Sequence, residues 1–198
     1  MNFNLEQNFV LENEYVSLRP LTINDYEHLL PFALNEPETW EYSLISAAGK
    51  DGLKSYLDNA LKARQDGREY PFIIFDKKTN EYAGSTRFYD IQPYHKTLLL
   101  GYTWLGEKFR GTGLNKQCKF LLLEYAFEKL GAARVEFRAN ANNEVSIAAM
   151  KSIGCRVEGI LRSHLNHPSG ERRNSIILSI LKNEWIDDVK EKLSLKLI

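Results

Sequence analysis

The stretch Glu107-Lys108-Phe109-Arg110-Gly111-Thr112-Gly113-Leu114-Asn115-Lys116 lies between a strand-like run and a long amphipathic one. A chain turning from strand into helix leaves the first amides of the helix without intrahelical partners. Gly111 and Gly113 remove the Cβ atoms that would keep an anion at a distance, and they permit unusual φ values. The pattern predicts a concave set of N–H donors at the positive end of a helix, a shape suited to a diphosphate. Arg110 and Lys116 would add positive charge at its rim. A nucleotide P-loop needs G-x-x-x-x-G-K-S/T, which is absent here. A dinucleotide fingerprint needs a third glycine where Lys116 stands. On this short motif alone, a glycine turn with no ligand stays open.

The elements that must position this segment follow from hydrophobic period. Val16, Leu18 and Leu21 alternate as an opening strand. Thr22 with Asp25 resembles a capping box, and Tyr26, Leu29, Leu30 and Ala33 continue at helical spacing. A second helix is expected over Gly52–Arg64, stopped by Gly67. Phe72–Phe75 and Tyr82–Tyr89 then form a hairpin, and Thr97–Leu105 adds a strand whose Leu, Tyr and Trp content suits the sheet centre. The helix from Leu114 to Lys129 presents Leu114, Cys118, Leu121, Leu122 and Tyr125 as its inner face. Arg134–Ala139 is a strand and Asn143–Ser152 a short helix. Cys155–His164 and Arg172–Leu181 are strands flanking the turn from His167 to Gly170, and Asn183 caps a last helix. The order is that of a mixed α/β domain on one sheet, a single domain over residues 1–198.

Composition narrows the function classes. The 26 Lys and Arg balance the 26 Asp and Glu, so neither nucleic acid nor an anionic membrane is expected as a partner. No apolar run is long enough to cross a bilayer, and Met1 to Glu14 lacks the pattern of a secretory signal. Cys118 and Cys155 have no metal or redox spacing and read as reduced core residues. The histidines His95, His164 and His167 show no ligand spacing, so no metal is expected. These features predict a cytoplasmic protein.

Gly101-Tyr102-Thr103-Trp104, then Arg110 to Asn115, Asn140 to Ser146 and Ile153-Gly154-Cys155, together resemble the GCN5-related N-acetyltransferase (GNAT) superfamily. Within it they are similar to the ribosomal-protein N-terminal acetyltransferases typified by RimJ and RimL. Arg110 and Gly113 match the first and fourth positions of the family motif Q/R-x-x-G-x-G/A, while Asn115 stands at the sixth. The resemblance runs from Leu18-Arg19-Pro20-Leu21 to Glu184-Trp185. It implies an α/β fold of about seven strands and four main helices, with two central strands splayed apart. Here these would be Thr97–Leu105 and Arg134–Ala139. Acetyl-CoA would dock with its diphosphate on Arg110, Gly111, Thr112, Gly113, Leu114 and Asn115 and its pantetheine in the gap, with no metal.

The resemblance also implies roles. Asn143 would hydrogen-bond the pantetheine, and Ser146 would sit near the thioester sulfur and donate a proton, or a hydrogen bond, to the leaving thiolate. Their plain alternative is a helix cap and a first-turn residue. Backbone amides around Thr103, Trp104 and Leu105 would stabilise the developing oxyanion. An amine attacks only when neutral, so a carboxylate is wanted, and Asp90 and Glu41 are the candidates. An N-terminal α-amine, with its lower pKa, asks less of such a base. Many relatives carry a tyrosine in the last long strand, but Leu178 falls there, so that acid is not carried over. Trp40, Tyr42, Phe88, Tyr89 and Tyr102 could wall an acceptor groove or simply pack. The expected activity is direct acetyl transfer to a primary amine, a ribosomal-protein N-terminus or a small molecule. Relatives often dimerise, which puts a homodimer among the expected states. The rival readings are a non-catalytic CoA- or partner-binding module on the same fold and a nucleotide-binding protein of another fold.

Overall fold

The computed structural model describes residue 1 and residues 4–167 and 170–197. Pro168 and Ser169, in the turn expected between the last two strands, lie outside the described residues. The strands are β1 (Leu11–Glu12), β2 (Val16–Pro20), β3 (Tyr70–Asp76), β4 (Glu81–Gln92), β5 (Thr97–Leu105), β6 (Arg134–Asn140), β7 (Arg156–Asn166) and β8 (Arg172–Leu181). The helices are α1 (Tyr26–Asn35), α2 (Gly49–Gln65), α3 (Leu114–Glu124), α4 (Glu144–Ser152) and a terminal α5 over residues 182–194. A π turn, Tyr125–Lys129, extends α3, and a second one, Trp185–Val189, interrupts α5. Among the described residues no helix is long and apolar enough to cross a membrane.

All the strands join one eight-stranded sheet in the order β1-β2-β3-β4-β5-β6-β8-β7. The expected strands are all present, and the two-residue β1 extends the sheet at its first edge. Pairing is antiparallel except between β5 and β6, which α3 connects as a crossover. That parallel ladder contains only Thr97↔Arg134, Leu98↔Val135 and Leu99↔Glu136. Beyond it the strands part. β5 stays paired with β4 as far as Leu105↔Gly84, and β6 stays with β8 as far as Asn140↔Ser175.

The parting has a local cause. Between Ser85↔Trp104 and Arg87↔Gly101 the register shifts, so Tyr102 and Thr103 of β5 face the single residue Thr86. Tyr102 takes φ 49° to make this bulge. An extra residue bends its strand and increases the local twist, which turns β5 away from β6. Gly84 lets the neighbouring strand come close, since a Cβ there would lie 2.1 Å from the Trp104 carbonyl oxygen.

The sheet has two differently built faces. On one, the Tyr56 hydroxyl of α2 donates to Ser85 Oγ at 3.3 Å and accepts from the Trp104 indole N–H at 3.3 Å. Trp40 and Phe32 pack edge-on to Trp104. On the other face, α3 and α5 bury Cys118, Leu122, Phe127 and Trp185. The buried side of α3 is rotated from the expected one. Gln117, Lys119, Leu123 and Ala126 are buried with Leu114, Cys118 and Leu122, while Leu121 and Tyr125 are only partly covered. Polar partners supplied by distant segments cause the rotation: Gln117 accepts from Asn13 Nδ2 at 2.8 Å, and Lys119 reaches hydroxyls on β4 and β5.

Candidate active site

The loop before α3 turns on its two glycines. Gly111 and Gly113 sit at φ 73° and 91°, and a Cβ built at either meets nothing within 4 Å. The loop therefore opens onto free space. The Arg110 N–H is bonded to the Glu107 carbonyl, and the Leu114 N–H has a long contact of 3.4 Å to Thr112 Oγ1. Among the described residues the N–H groups of Gly111, Thr112, Gly113 and Asn115 have no protein partner. They lie at the positive end of α3, where an anion would complete them. Arg110 itself does not act as a free rim charge. Its Nε donates to the Leu105 carbonyl at 2.9 Å and its Nη2 to Thr39 Oγ1 at 2.6 Å, with Glu36 3.8 Å away. It braces the loop against the end of β5.

The open edge of β5 runs directly into this loop. From Leu100 to Leu105 no residue of β6 pairs with it. Thr103, Trp104 and Leu105 lie on this stretch, with Trp104 and Leu105 buried. Across the gap, β6 leads to Asn143, the N-cap of α4, whose Oδ1 accepts from the Ser146 N–H at 2.9 Å. The cap role of Asn143 is thus filled by its oxygen, and its Nδ2 has no protein partner among the described residues. Ser146 is half-buried in the first turn, and its hydroxyl also has none.

On the opposite face a cavity of about 290 Å³ is lined by Glu41, Tyr42, Asn140, His167, Arg173 and neighbouring residues. Asn140, which ends β6 on the splayed margin, is one of its lining residues. Its wall is tied together across the chain. His167 Nε2 lies 2.9 Å from the Glu41 carbonyl, and Arg173 Nη1 donates to the Tyr42 carbonyl at 2.9 Å. Glu41 is exposed at this mouth. Asp90 is not brought there. It sits in a second bulge, on β4 between Tyr89↔Leu99 and Gln92↔Thr97, beside the closed end of the β5–β6 ladder. It is exposed and accepts from Gln92 Nε2 at 2.8 Å.

The aromatic residues divide. Trp40 and Phe88 belong to the core. Tyr42 lines the cavity, and Tyr89 and Tyr102 meet edge-to-face at 5.0 Å. Burial raises the pKa of both Tyr89 and Tyr102 above the usual phenol range. Leu178 is fully buried opposite Phe137. Burial also pushes the thiols of Cys118 and Cys155 up to about 12.

Two buried cations beside the bulge carry no signal in the sequence. Arg87 is 1% exposed, pairs with Glu69 at 2.6 Å, and lies over the rings of Tyr102 and Tyr56 at 4.2 and 4.8 Å. Lys119 is 4% exposed, and its Nζ donates to Thr103 Oγ1 at 2.6 Å and to Thr86 Oγ1 at 3.3 Å. A lysine next to an apolar stripe reads as solvated, and an arginine within a strand reads as an outward residue. Among the described residues no group of His, Cys, Asp and Glu is placed to share a metal ion.

Comparison with known proteins agrees with this geometry. A family model described as "Acetyltransferase (GNAT) domain" matches residues 16–156. The Bacillus subtilis protein named "Putative ribosomal N-acetyltransferase YdaF" is 26% identical over 179 residues, covering 87% of this chain and 94% of that one. A solved structure from T. thermophilus, described as a "putative acetyltransferase", is 32% identical with a TM-score of 0.85, covering 96% of this chain and 97% of the other. Mycobacterium smegmatis RimJ in complex with CoA-disulfide shares the fold at a TM-score of 0.79 and 20% identity, covering 95% of this chain and 93% of that one. With free amides before α3, a sheet that splays beside them and a family match over most of its length, this chain belongs to the GNAT family and is an N-acetyltransferase, moving an acetyl group to an amine.

Proposed function

We propose that acetyl-CoA binds with its diphosphate on the amides of Gly111, Thr112, Gly113 and Asn115, and that Arg110 and Leu114 shape the loop. The observation that carries this reading is the set of unpartnered amides opening onto free space at the start of α3. The pantetheine lies against the open edge of β5 at Thr103, Trp104 and Leu105 and meets Asn143 Nδ2 across the gap. The acceptor is a primary amine, a protein N-terminus of the ribosomal-protein kind or a small-molecule amine. It enters through the cavity at Glu41 and Tyr42, within one cytoplasmic domain spanning 1–198. The name of the YdaF relative, a putative ribosomal N-acetyltransferase, favours the ribosomal-protein acceptor.

Transfer is direct, within a ternary complex. The amine lone pair attacks the thioester carbonyl carbon, the C–N bond forms, and the C–S bond breaks. Main-chain amides of the β5 bulge hold the charge on the oxygen. Ser146 gives its hydroxyl proton to the departing thiolate and takes one back from water, while the proton of the attacking amine passes to Glu41 or a water beside it and on to solvent. Asp90 lies beside the closed end of the ladder, and no step is routed through it. The high pKa of both buried thiols supports direct attack, since neither supplies a thiolate nucleophile near neutral pH.

Isothermal titration with CoA tests the cradle. Micromolar binding is expected, with loss of at least a hundredfold in Gly113→Val while the circular dichroism spectrum is retained. Unchanged affinity in a folded Gly113→Val protein overturns the assignment.

A further inference from the structure

Lys119 stands behind the part of β5 that the acetyl group must approach. Its ammonium is bonded to Thr103 Oγ1 and Thr86 Oγ1, the two hydroxyls that flank the bulge, and it forms no ion pair among the described residues. The titratable groups acting on it are Cys118 of its own helix and Cys155 after α4, both held as neutral thiols by burial. Stability does not explain such a residue. An unpaired buried charge is costly, and an apolar residue of similar volume serves a core better. Nor do the threonines need it, since their hydroxyls lie 2.7 Å apart and satisfy one another.

What the lysine does fix is shape. Tyr102 holds a left-handed conformation that a non-glycine residue keeps only when its surroundings over-determine it. One face of the bulge is pinned by Arg87, stacked 4.2 Å from the Tyr102 ring centre. The other face is pinned at Thr103 by Lys119. We propose that Lys119 is a positioning residue for acetyl transfer: tied to Thr103 and Thr86, it holds the β5 bulge in the form that points its main-chain amides at the thioester carbonyl. The fixed positive charge behind the strand also favours the negative charge that develops on that oxygen. This rests on the acetyl-CoA reading of the cleft given above.

The test needs no known acceptor. Isotope-edited difference infrared spectroscopy of bound acetyl-CoA, labelled at the thioester carbonyl carbon, reads the hydrogen bonds that this oxygen receives. The native protein should lower the carbonyl frequency relative to free acetyl-CoA. Lys119→Met should lose half or more of that shift while its affinity for acetyl-CoA stays within threefold and its melting temperature does not fall. With any amine that supports turnover, kcat should drop at least tenfold at a KM for acetyl-CoA within threefold. Thr103→Val removes the same anchor from the other side and should lose the same share of the carbonyl shift, which keeps the test open where Lys119→Met does not fold. A full carbonyl shift in either folded variant overturns the proposal. So does an unshifted carbonyl in native protein that binds acetyl-CoA, with the cradle left standing. Failure of the native protein to bind acetyl-CoA overturns the cradle and the proposal together.

Discussion

Arg87 and Lys119 are buried on opposite faces of the same pair of strands, each in contact with the same bulge, and are held in opposite ways. Arg87 has a carboxylate partner, Glu69, and two tyrosine rings. Lys119 has hydroxyls alone. The first arrangement answers the charge it buries, and the second does not. A charge paired in a core belongs to the fold, and removing one partner strands the other. A charge without a partner works against the fold, so its presence points toward the cleft. The two sides of one bulge thus separate a residue that stabilises from a residue that is tolerated.

The largest expected effect falls on the paired side. Arg87→Met should destabilise the protein by about 3–5 kcal/mol in urea denaturation, because Glu69 is left charged and mostly buried. A loss below about 1 kcal/mol would show that the pair is not a structural unit. Lys119→Met should act in the opposite direction, by on the order of 3 kcal/mol, and with a particular pH dependence. Burial lowers the Lys119 pKa to about 8 in the folded protein, against about 10.4 in the unfolded chain. Below pH 8 both states hold the proton and the full penalty is present. Between about pH 8 and 10.4 the unfolded chain holds more protons than the folded one, so the native protein gains stability as pH rises. The advantage of the variant should therefore be greatest below pH 8 and shrink toward pH 10.4. The buried thiols contribute with the opposite sign above about pH 8.5, and taking the difference between the two proteins cancels them. A variant less stable than the native protein at pH 7 would erase the contrast. The smallest effect belongs to Glu69→Gln, which keeps an oxygen for Arg87 and removes only the charge. About 1–2 kcal/mol of destabilisation is expected in the same titration.

The frame of this site was legible in the sequence where local chemistry decides structure. Gly111 and Gly113, between a strand and a helix, were readable as a turn of unusual φ, and both take positive φ in the structure. The β5 strand was readable from its own Leu, Tyr and Trp content, with the same bounds in the structure. Asn143 was readable as a residue that starts a helix. What escaped reading depends on partners far along the chain. The rotation of α3 is set by Asn13, Thr86 and Thr103, which no periodicity within residues 114–129 reports. The cap of α5 moves from Asn183 to Leu181, because the Glu184 carboxylate accepts from the Leu181 N–H at 2.9 Å. Asp90 and Glu41 looked alike as acids beside aromatic residues. Only the register of β4 and the contacts of Glu41 with His167 separate a residue at the closed end from one at the mouth.

The short β5–β6 ladder has a mechanical consequence. Among the described residues the ladder joining one panel of the sheet, β1 to β5, to the other, β6 to β8, has three rungs, continued by the Ala133 N–H donating to the Lys96 carbonyl at 2.7 Å. A molecule threaded into the seam and bonded to both margins substitutes for the missing rungs and works as a clasp. Loading with CoA should therefore slow amide exchange in both panels, well beyond the atoms it touches.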